Sequence, residues 1–374
     1  MPEVAGSLLA HFSDLDDPRR YNRWHPLFDI IVIAICGVIC GADDWPAVEE
    51  FGRAKYEWFK GFLKLPHGIP SHDTFGRVFG VLNAEQFQAR FVEWTQAVQE
   101  ITQGQVVAID GKKLRRSHDK VVGKGAIHMV SAWASQNHLV LGQVKVDDRS
   151  NEITAVPDLL DLLELSGCIV TVDALNCQKK TAHKIVDQGA DYVLSVKENQ
   201  ANLYQALQDL FGYAQETAFR DCDYAKTVNK GHGRIEIREC WTTSAPDYLA
   251  YLPDLADWTG LQTLVMVKAE RRLGQLRTVQ IRYYISSLPS NAQHLLQAVR
   301  GHWTIENEMH WVLDIAFRED DSRLRKGNGA HNFAILRHIA LNLLKQEKTA
   351  RCGIKTKRLK AAWDHTYLLK VLIG

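Results

Sequence analysis

Hydrophobic positions recur with helical spacing through the first hundred residues. Residues 27–41 form an almost unbroken apolar run that Asp29 interrupts, and the run is too short to cross a bilayer. It therefore predicts a buried helix. Further along, Phe51, Trp58 and Phe62 are spaced so that they share one face of a helix. This part of the chain is expected to be all-helical.

Two further helices are predicted after a turn at residues 66–70. Ser71 or Asp73 is placed to cap a helix that runs through Val81, and a second helix is expected over residues 83–101. The short capped helix after a tight turn is compatible with a helix-turn-helix or with an ordinary helical hairpin. We place the boundary of the helical N-terminal domain at residue 103.

Short runs rich in β-branched and apolar residues begin near Gly104. Five strands are predicted, over residues 105–110, 126–135, 139–146, 168–173 and 192–196, with helices over 155–164 and 178–188. The first three strands have short connections and can form an antiparallel meander, and the later ones alternate with helices. The order predicts an α/β fold in which an RNase H-like mixed five-stranded sheet carries helices on both faces.

The pattern changes again at about residue 200. Strand-like runs over 234–242, 262–270 and 275–286, after a helix near 202–211, predict a β-rich insertion or extension of the sheet at about 200–285. Helices over 291–317 and 331–345 follow. We expect one catalytic domain over residues 104–345 and a basic C-terminal segment over 346–374.

Composition and charge narrow the class of protein. The chain has 374 residues and a net charge of +1, with 46% hydrophobic residues, as in ordinary globular proteins. Residues 1–100 carry a net charge of −5, whereas residues 345–360 carry seven basic residues and one acidic residue. That basic block is either a solvated helix or a contact for phosphates. Seven scattered cysteines, with no secretory signal and no membrane span, indicate a reduced cytoplasmic protein.

Two predicted strands end in aspartate in the same way. Asp110 follows Val-Val-Ala-Ile and Asp173 follows Ile-Val-Thr-Val. Strand ends of an open α/β sheet meet at one crevice, and two carboxylates brought together there repel each other unless they share a cation or a proton. Oxygen-rich sites of this kind suit Mg²⁺ or Mn²⁺. The alternative is that each aspartate simply caps a turn.

A third carboxylate lies on the predicted helix over residues 291–317. His302, Glu306 and His310 recur every four residues and should share one face, and the tryptophans at 303 and 311 indicate a packed helix. Glu306 completes a carboxylate site, or the three residues bind zinc, or they form a buried polar network. In the first case, two divalent cations would support in-line attack on a phosphodiester.

A basic turn follows the first aspartate. Lys112, Lys113, Arg115 and Arg116 are either phosphate contacts or a solvated turn.

Taken in order, these motifs resemble the DDE transposases of bacterial insertion sequences, in the H-repeat-associated subgroup linked to Rhs elements. The matching blocks are Ala-Ile-Asp-Gly-Lys at 108–112, Asn-Glu-Ile at 151–153, Val-Asp-Ala at 172–174, and His-Trp-Thr-Ile-Glu-Asn at 302–307 with His-Trp-Val-Leu-Asp at 310–314. The resemblance covers nearly the whole chain. It implies an RNase H-like fold, Mg²⁺ (or Mn²⁺) dependence, cleavage at terminal inverted repeats, and strand transfer into a target.

The resemblance also implies roles for individual residues. Asp110, Asp173 and Glu306 would be the catalytic, metal-binding triad, with His302, Asn307 and His310 in support. Contacts to double-stranded DNA would come from Lys112, Lys113, Arg115, Arg116, Lys197, Asn199 and Arg300. A homodimer or higher oligomer on DNA is expected, in the bacterial cytoplasm and on the nucleoid when bound.

Two alternatives remain open at this point. A domesticated RNase H-like nuclease would keep the triad and lose the specificity for element ends. A catalytically inactive DNA-binding remnant would keep only the helical N-terminus and the basic C-terminus.

Overall fold

A computed structural model describes residues 6–21, 23–98, 103–118, 126–146, 151–231 and 233–373. The N-terminal region is helical, as predicted. Its helices are α1 (Gly6–Ser13), α2 (Leu27–Ile39), α3 (Trp45–Ala54), α4 (Tyr56–Phe59), α5 (His72–Val81) and α6 (Ala84–Val98). The predicted end of α6, at residues 99–101, lies outside the described residues.

Local side-chain chemistry explains where these helices begin. Ser71 caps α5, because its hydroxyl accepts a hydrogen bond from the Thr74 backbone N–H. Asn83 does the same for α6 through its side-chain oxygen, which accepts from the backbone of Glu85. Helix α2 is buried along almost its whole length, as its unbroken apolar run predicts. Asp29 within it is tolerated because its carboxylate accepts a hydrogen bond from the Leu65 backbone N–H.

One sheet of nine strands runs through the rest of the molecule. The strands are β1 (Val106–Lys113), β2 (His128–Ala134), β3 (Leu139–Lys145), β4 (Ile169–Val172), β5 (Asp191–Val196), β6 (Asp223–Gly231), β7 (Arg234–Thr243), β8 (Thr263–Leu273) and β9 (Leu276–Ser286). Their order across the sheet is β3-β2-β1-β4-β5-β9-β8-β7-β6. Strands β1 to β3 form an antiparallel meander, and β1, β4 and β5 are parallel. The protein is thus a mixed α/β fold.

The five predicted core strands lie side by side in this sheet, which continues beyond them. The end of β9, residues 283–286, pairs antiparallel with β5, so the strands of the insertion extend the same sheet. Strand β6 has no counterpart in the prediction. Its sequence is mostly polar and most of its residues are exposed at the sheet edge, so it lacks the alternation that marks a half-buried strand.

Six further α-helices accompany the sheet in the described residues up to 317. They are α7 (Glu152–Asp161), α8 (Lys179–Asp187), α9 (Ala201–Glu216), α10 (Pro246–Ala250), α11 (Ala292–His302) and α12 (Trp311–Phe317). Of these, α7, α8 and α11 pack directly on its strands. Helix α7 begins three residues earlier than predicted, because the Asn151 side chain accepts a hydrogen bond from the backbone of Ile153 and caps it there. Pro157 therefore lies inside the helix and not in its first turn.

Helix α13 (Gly329–Gln346) is buried from residue 329 to residue 344. It packs against α2 and α5 on one side and β3 on the other. The side chain of Asn342 donates to the Val140 carbonyl and accepts from the Val140 N–H, each at 2.8 Å, and so pairs with the exposed edge of β3. Asn332 donates to the carbonyls of Phe79 and Leu82 in the N-terminal region. One continuous hydrophobic core joins these parts.

The predicted basic C-terminal segment folds as α14 (Ile354–Trp363) and α15 (His365–Ile373). Two of its basic residues are buried. Lys357 donates to the backbone carbonyl of Leu344, and Arg358 donates to that of Val38. These two side chains hold the segment on the core. The other basic residues of the block at 345–360 are still either part of a solvated helix or contacts for phosphates. Among the described residues, no helix combines the length and apolarity needed to span a bilayer.

Candidate active site

The first two carboxylates come together through the pairing of parallel strands. Ile109 of β1 lies opposite Val172 of β4, so Asp110 and Asp173, the next residue on each strand, lie side by side. The prediction placed Asp110 at the exit of its strand, whereas β1 continues past it to Lys113 by pairing with β2. It is the neighbouring strand β4 that ends there, and this end opens the sheet to a ligand beside Asp110.

The third carboxylate reaches the same place from the helical layer. A cleft of about 210 Å³ is lined by Asp110, Asp173 and Glu306, together with His302. Glu306 lies in a π-helical segment, Ile305–His310, between α11 and α12. The cleft thus joins two strand-borne carboxylates to one carried by a helix, as the predicted triad requires.

The helix that carries Glu306 is anchored to the sheet just before the π-helical segment. Trp133 of β2 donates its indole N–H to the Thr304 hydroxyl at 3.0 Å, and Ser135 donates to the Gly301 carbonyl at 2.9 Å. Gly301 also permits close packing, because a Cβ atom there would lie 2.9 Å from a methyl carbon of Val106. These contacts fix the height of Glu306 above β1 and β4.

The helix over this segment is packed, as predicted, but the prediction that it is regular is wrong. The π-helical turn interrupts the regular spacing, so His302, Glu306 and His310 do not follow one α-helical face. The buried side chains of Ile305, Met309 and Leu313 pack the helix against the core. Trp303 and Trp311, from which the packing was predicted, are 37% and 60% exposed. Such wide turns are frequent at functional sites.

Electrostatic repulsion is concentrated on Asp110. Burial, with further contributions from the negative charges of Asp173 and Glu306, raises the pKa of Asp110 to about 7. His310 lies beside it, with its Nδ1 atom 3.6 Å from the carboxylate. Burial lowers the pKa of His310 to about 4 and that of His302 to about 4, so both rings are neutral and supply no compensating charge. Asp110 therefore needs a cation or a proton from outside the protein.

A fourth carboxylate, Glu152, belongs to the same cluster. Its charge contributes to the raised pKa of Asp110, and it packs so closely on Gly111 that a Cβ atom there would lie 2.6 Å from its oxygens. Asn176 donates to Glu152 at 3.3 Å and to Asp173 at 2.9 Å, which links the two acids. The sequence placed Glu152 in a motif without a role. Its position in that motif was the only sign in the sequence that Glu152 could have a role.

The donor set fits a hard divalent cation. Carboxylate oxygens are the ligands that Mg²⁺ and Mn²⁺ prefer, and a cation would relieve the repulsion that raises the pKa of Asp110. In the described part of the chain, no three His, Cys, Asp or Glu side chains form a ready-made metal-binding group. His302, Glu306 and His310, the residues of the zinc alternative, therefore do not form such a group either.

Lys112, predicted to contact DNA, lies in a buried ionic network. Its ammonium is 2.5 Å from Asp314 and 2.8 Å from Glu319, and the side chain is 13% exposed. Burial by itself would lower the pKa of Lys112, but the two carboxylates outweigh burial and raise this pKa above its ordinary value. Glu319 itself is buried and also faces Arg337. The network connects β1, which carries Asp110, to the chain that follows α12.

The rest of the predicted basic turn is paired in the same way. Arg115 lies 3.2 Å from Asp320, and Arg116 lies 3.1 Å from Asp321. Lys113 is exposed. Contact of these residues with DNA stays a prediction, and a DNA phosphate would have to compete with the acidic residues at 320 and 321.

The other predicted site residues lie in different places around the cleft. Lys197 lines it. Asn199 donates to the Ala174 carbonyl at 2.7 Å and so holds the turn after Asp173. Asn307 donates to the Trp303 carbonyl within its own helix, and Arg300 is exposed on α11.

One residue that lines the cleft had no signal in the sequence. Arg282 of β9 lies in the cleft wall and its guanidinium stacks on the Trp303 ring, 4.5 Å from its centre. It belongs to the insertion, and only the joining of β9 to β5 brings it to the site.

Comparison with known proteins gives two matches to family models. Residues 101–343 match the transposase DDE domain, and residues 9–95 match a region described as DDE_Tnp_1-associated. The chain is 41% identical to YncI of Escherichia coli O157:H7, named as a transposase, over 98% of this chain and 94% of that one. It is 39% identical to YhhI of Escherichia coli K12, named as an H repeat-associated transposase, over 98% of each chain.

A solved structure, a piggyBac transposase synaptic complex with hairpin DNA, covers 96% of this chain and 76% of its own. It is 11% identical, and the TM-score of 0.43 is too low to establish a common fold.

Proposed function

The chain belongs to the DDE transposase family, and we propose that it cleaves and joins DNA at the ends of an insertion sequence, with Asp110, Asp173 and Glu306 as its metal-binding triad. The observation that carries the proposal is the shared cleft of these three carboxylates. The strand order β3-β2-β1-β4-β5 supports an RNase H-like core as its scaffold. We also propose the division into residues 1–103, 104–345 and 346–374.

Neighbouring acids support the choice of Glu306. Glu308 is already engaged with His138 and with Lys345, whose ammonium lies 3.1 Å away. Asp314 pairs with Lys112. Glu306 alone of these three acids lines the cleft with Asp110 and Asp173. The sequence left this choice partly to resemblance, and the contacts of its neighbours now favour it.

The residues around the cleft would divide the work. Asp110, Asp173 and Glu306 would hold the divalent cations, which when bound supply activation of the attacking oxygen and stabilisation of the leaving one. Asn176 orients Asp173, and Asn199 holds the turn behind it. Lys197 and Arg282 line the cleft and would meet the phosphates of double-stranded DNA. Because the neutral His310 does not compensate the negative charge of the Asp110 carboxylate, that charge would be available to a metal ion.

The test is cleavage and joining of DNA that carries the inverted repeats flanking the gene, with Mg²⁺ or Mn²⁺. We expect Asp110→Asn, Asp173→Asn and Glu306→Gln each to reduce the rate by at least about a thousandfold, because each removes a ligand of the reaction centre. Glu308→Gln is the matched control, since it removes a charge two residues away and outside the cleft, and it should retain cleavage.

Equal loss in Glu306→Gln and Glu308→Gln would contradict the assignment of Glu306. Cleavage without preference for the element ends would favour the nuclease alternative. Absence of metal binding by calorimetry, together with retained DNA binding, would favour the inactive remnant.

A further inference from the structure

A second groove lies away from the carboxylate cleft, in the N-terminal region. It has a volume of about 690 Å³ and lies between residues 18–21 and 24–25, helix α5 and the loop at residues 326–327. We call it the N-terminal groove. Its walls combine exposed aromatic rings with basic side chains, and none of these residues takes part in the site described above.

Two aromatic rings of the groove are open to solvent. Tyr21 is 84% exposed and Trp24 is 66% exposed. The Trp24 ring is supported by His67, whose ring centre lies 5.4 Å away, and much of the rest of its surface is free. Exposed apolar surface gathered in one groove, and not scattered singly, can mark a ligand-binding site. Their flat faces can stack on other planar groups.

The basic side chains of the groove carry uncompensated charge. Arg20, Arg77 and Lys326 are exposed, and in the described part of the chain no carboxylate lies within ion-pair distance of them. Arg19 differs, because it forms a 2.7 Å ion pair with Asp17. Positive charge beside open aromatic rings is complementary to a polyanion that also presents planar rings.

We propose that the N-terminal groove binds unpaired nucleotides of a DNA strand. Bases would stack on Trp24 and Tyr21, and phosphates would meet Arg77 and Lys326. The nucleotides must be unpaired, because base faces inside a duplex are covered by their neighbours, whereas a single strand exposes them. The inference rests on the proposed function for the nature of the strand, since a DNA-cleaving enzyme generates or meets unpaired ends at its substrate.

The groove is also joined to the carboxylate cleft by a short stretch of chain. Lys326 in its wall follows Arg325, which donates to the Arg116 carbonyl at 3.3 Å. Arg116 in turn pairs with Asp321 and follows the strand that carries Asp110.

The test is fluorescence anisotropy with the full chain and a labelled DNA strand of about 12 nucleotides, without divalent metal. Trp24→Ala should weaken binding about tenfold, because the stacking of one base is lost. Lys326→Ala should weaken binding and reduce its dependence on salt, because one phosphate contact is lost. The matched controls are Tyr251→Ala and Lys180→Ala, which alter exposed side chains outside the groove and should leave the affinity unchanged.

Duplex DNA of the same sequence and an RNA strand of the same sequence complete the comparison. Equal affinity of Trp24→Ala and the parent chain for the DNA strand would overturn the proposal. The proposal would also be overturned if Trp24→Ala lost as much affinity for duplex DNA as for the single strand, or if the parent chain bound the RNA strand more tightly than the DNA strand. Asp110→Asn separates the two proposals, because it should abolish end cleavage and leave strand binding intact. If the parent chain fails to cleave but Trp24→Ala still loses strand binding, the groove stands and the proposed function falls.

Discussion

Single residues at the cleft show how burial and like charge act together. Asp110 has ordinary chemistry in the unfolded chain, but in the fold it is buried beside Asp173 and Glu306, which raises its pKa to about 7. His302 and His310 stay neutral for the same reason of burial. The cleft therefore accumulates negative charge that a cation or a proton must neutralise. This favours metal binding over the alternative in which each aspartate caps a turn.

The pKa of Asp110 leads to a prediction about stability. Between about pH 4 and pH 7 the folded, metal-free chain holds a proton that the unfolded chain has released, so its free energy of unfolding should fall as the pH rises. The slope from this group is at most about 1.4 kcal/mol per pH unit. Asp110→Asn should lack that contribution and be more stable than the parent chain at pH 8.

The measurement is urea unfolding in EDTA over this pH range, for the parent chain and for Asp110→Asn. Asp247→Asn, at an exposed position, is the control and should follow the parent chain. Parallel pH profiles for the parent chain and Asp110→Asn would contradict the raised pKa. Adding Mg²⁺ should stabilise the parent chain and not Asp110→Asn, because the cation binds only the folded triad.

The packing of secondary-structure elements explains why Lys112, predicted to contact DNA, lies in a buried ionic network. The sequence shows a basic turn after Asp110, but the fold brings the chain after α12 against it, and Asp314 and Glu319 take up the Lys112 ammonium. Buried charge thus connects strand β1 to the chain that follows Glu306. Thr304, just before Glu306, is held by a hydrogen bond from Trp133 of β2. Hydrophobic periodicity also could not predict the π-helical segment between α11 and α12, since nothing local in the sequence marks it.

The ionic network gives a prediction at this scale. Lys112→Ala should lower the free energy of unfolding by about 3–5 kcal/mol, because it leaves the buried Glu319 carboxylate without its closest partner. Lys113→Ala, at the exposed neighbour, should change it by less than about 0.5 kcal/mol. Chemical denaturation measures both. If Lys112→Ala keeps its stability but loses salt-dependent affinity for DNA, the original assignment as a phosphate contact is correct.

At the scale of the whole molecule, α13 joins regions that the sequence separates. It packs on α2, α5 and β3, and a continuous hydrophobic core includes N-terminal helices, strands of the sheet and the C-terminal helices. The proposed division into domains thus describes segments of sequence that share one core.

This shared core predicts a single unfolding transition. Near-ultraviolet circular dichroism and hydrogen exchange of N-terminal amides should report the same midpoint for residues 6–98 and for the sheet. Asn332→Ala should shift both together, by about 1–3 kcal/mol, because two buried carbonyls lose their donor. Asn202→Ala, at an exposed position, is the control. Two separate transitions would show that the regions are independent.

The sequence by itself determined the features that depend on local pattern. The apolar run of α2, the Ser71 cap and the two strands that lead to Asp110 and Asp173 are set by spacing along the chain, and parallel pairing then brings the two aspartates together. Only the tertiary structure placed Glu306 in the cleft and Glu308 outside it, committed Lys112 to buried carboxylates, and brought Arg282 to the cleft. Those outcomes depend on contacts between residues far apart in sequence, whose partners no local periodicity specifies.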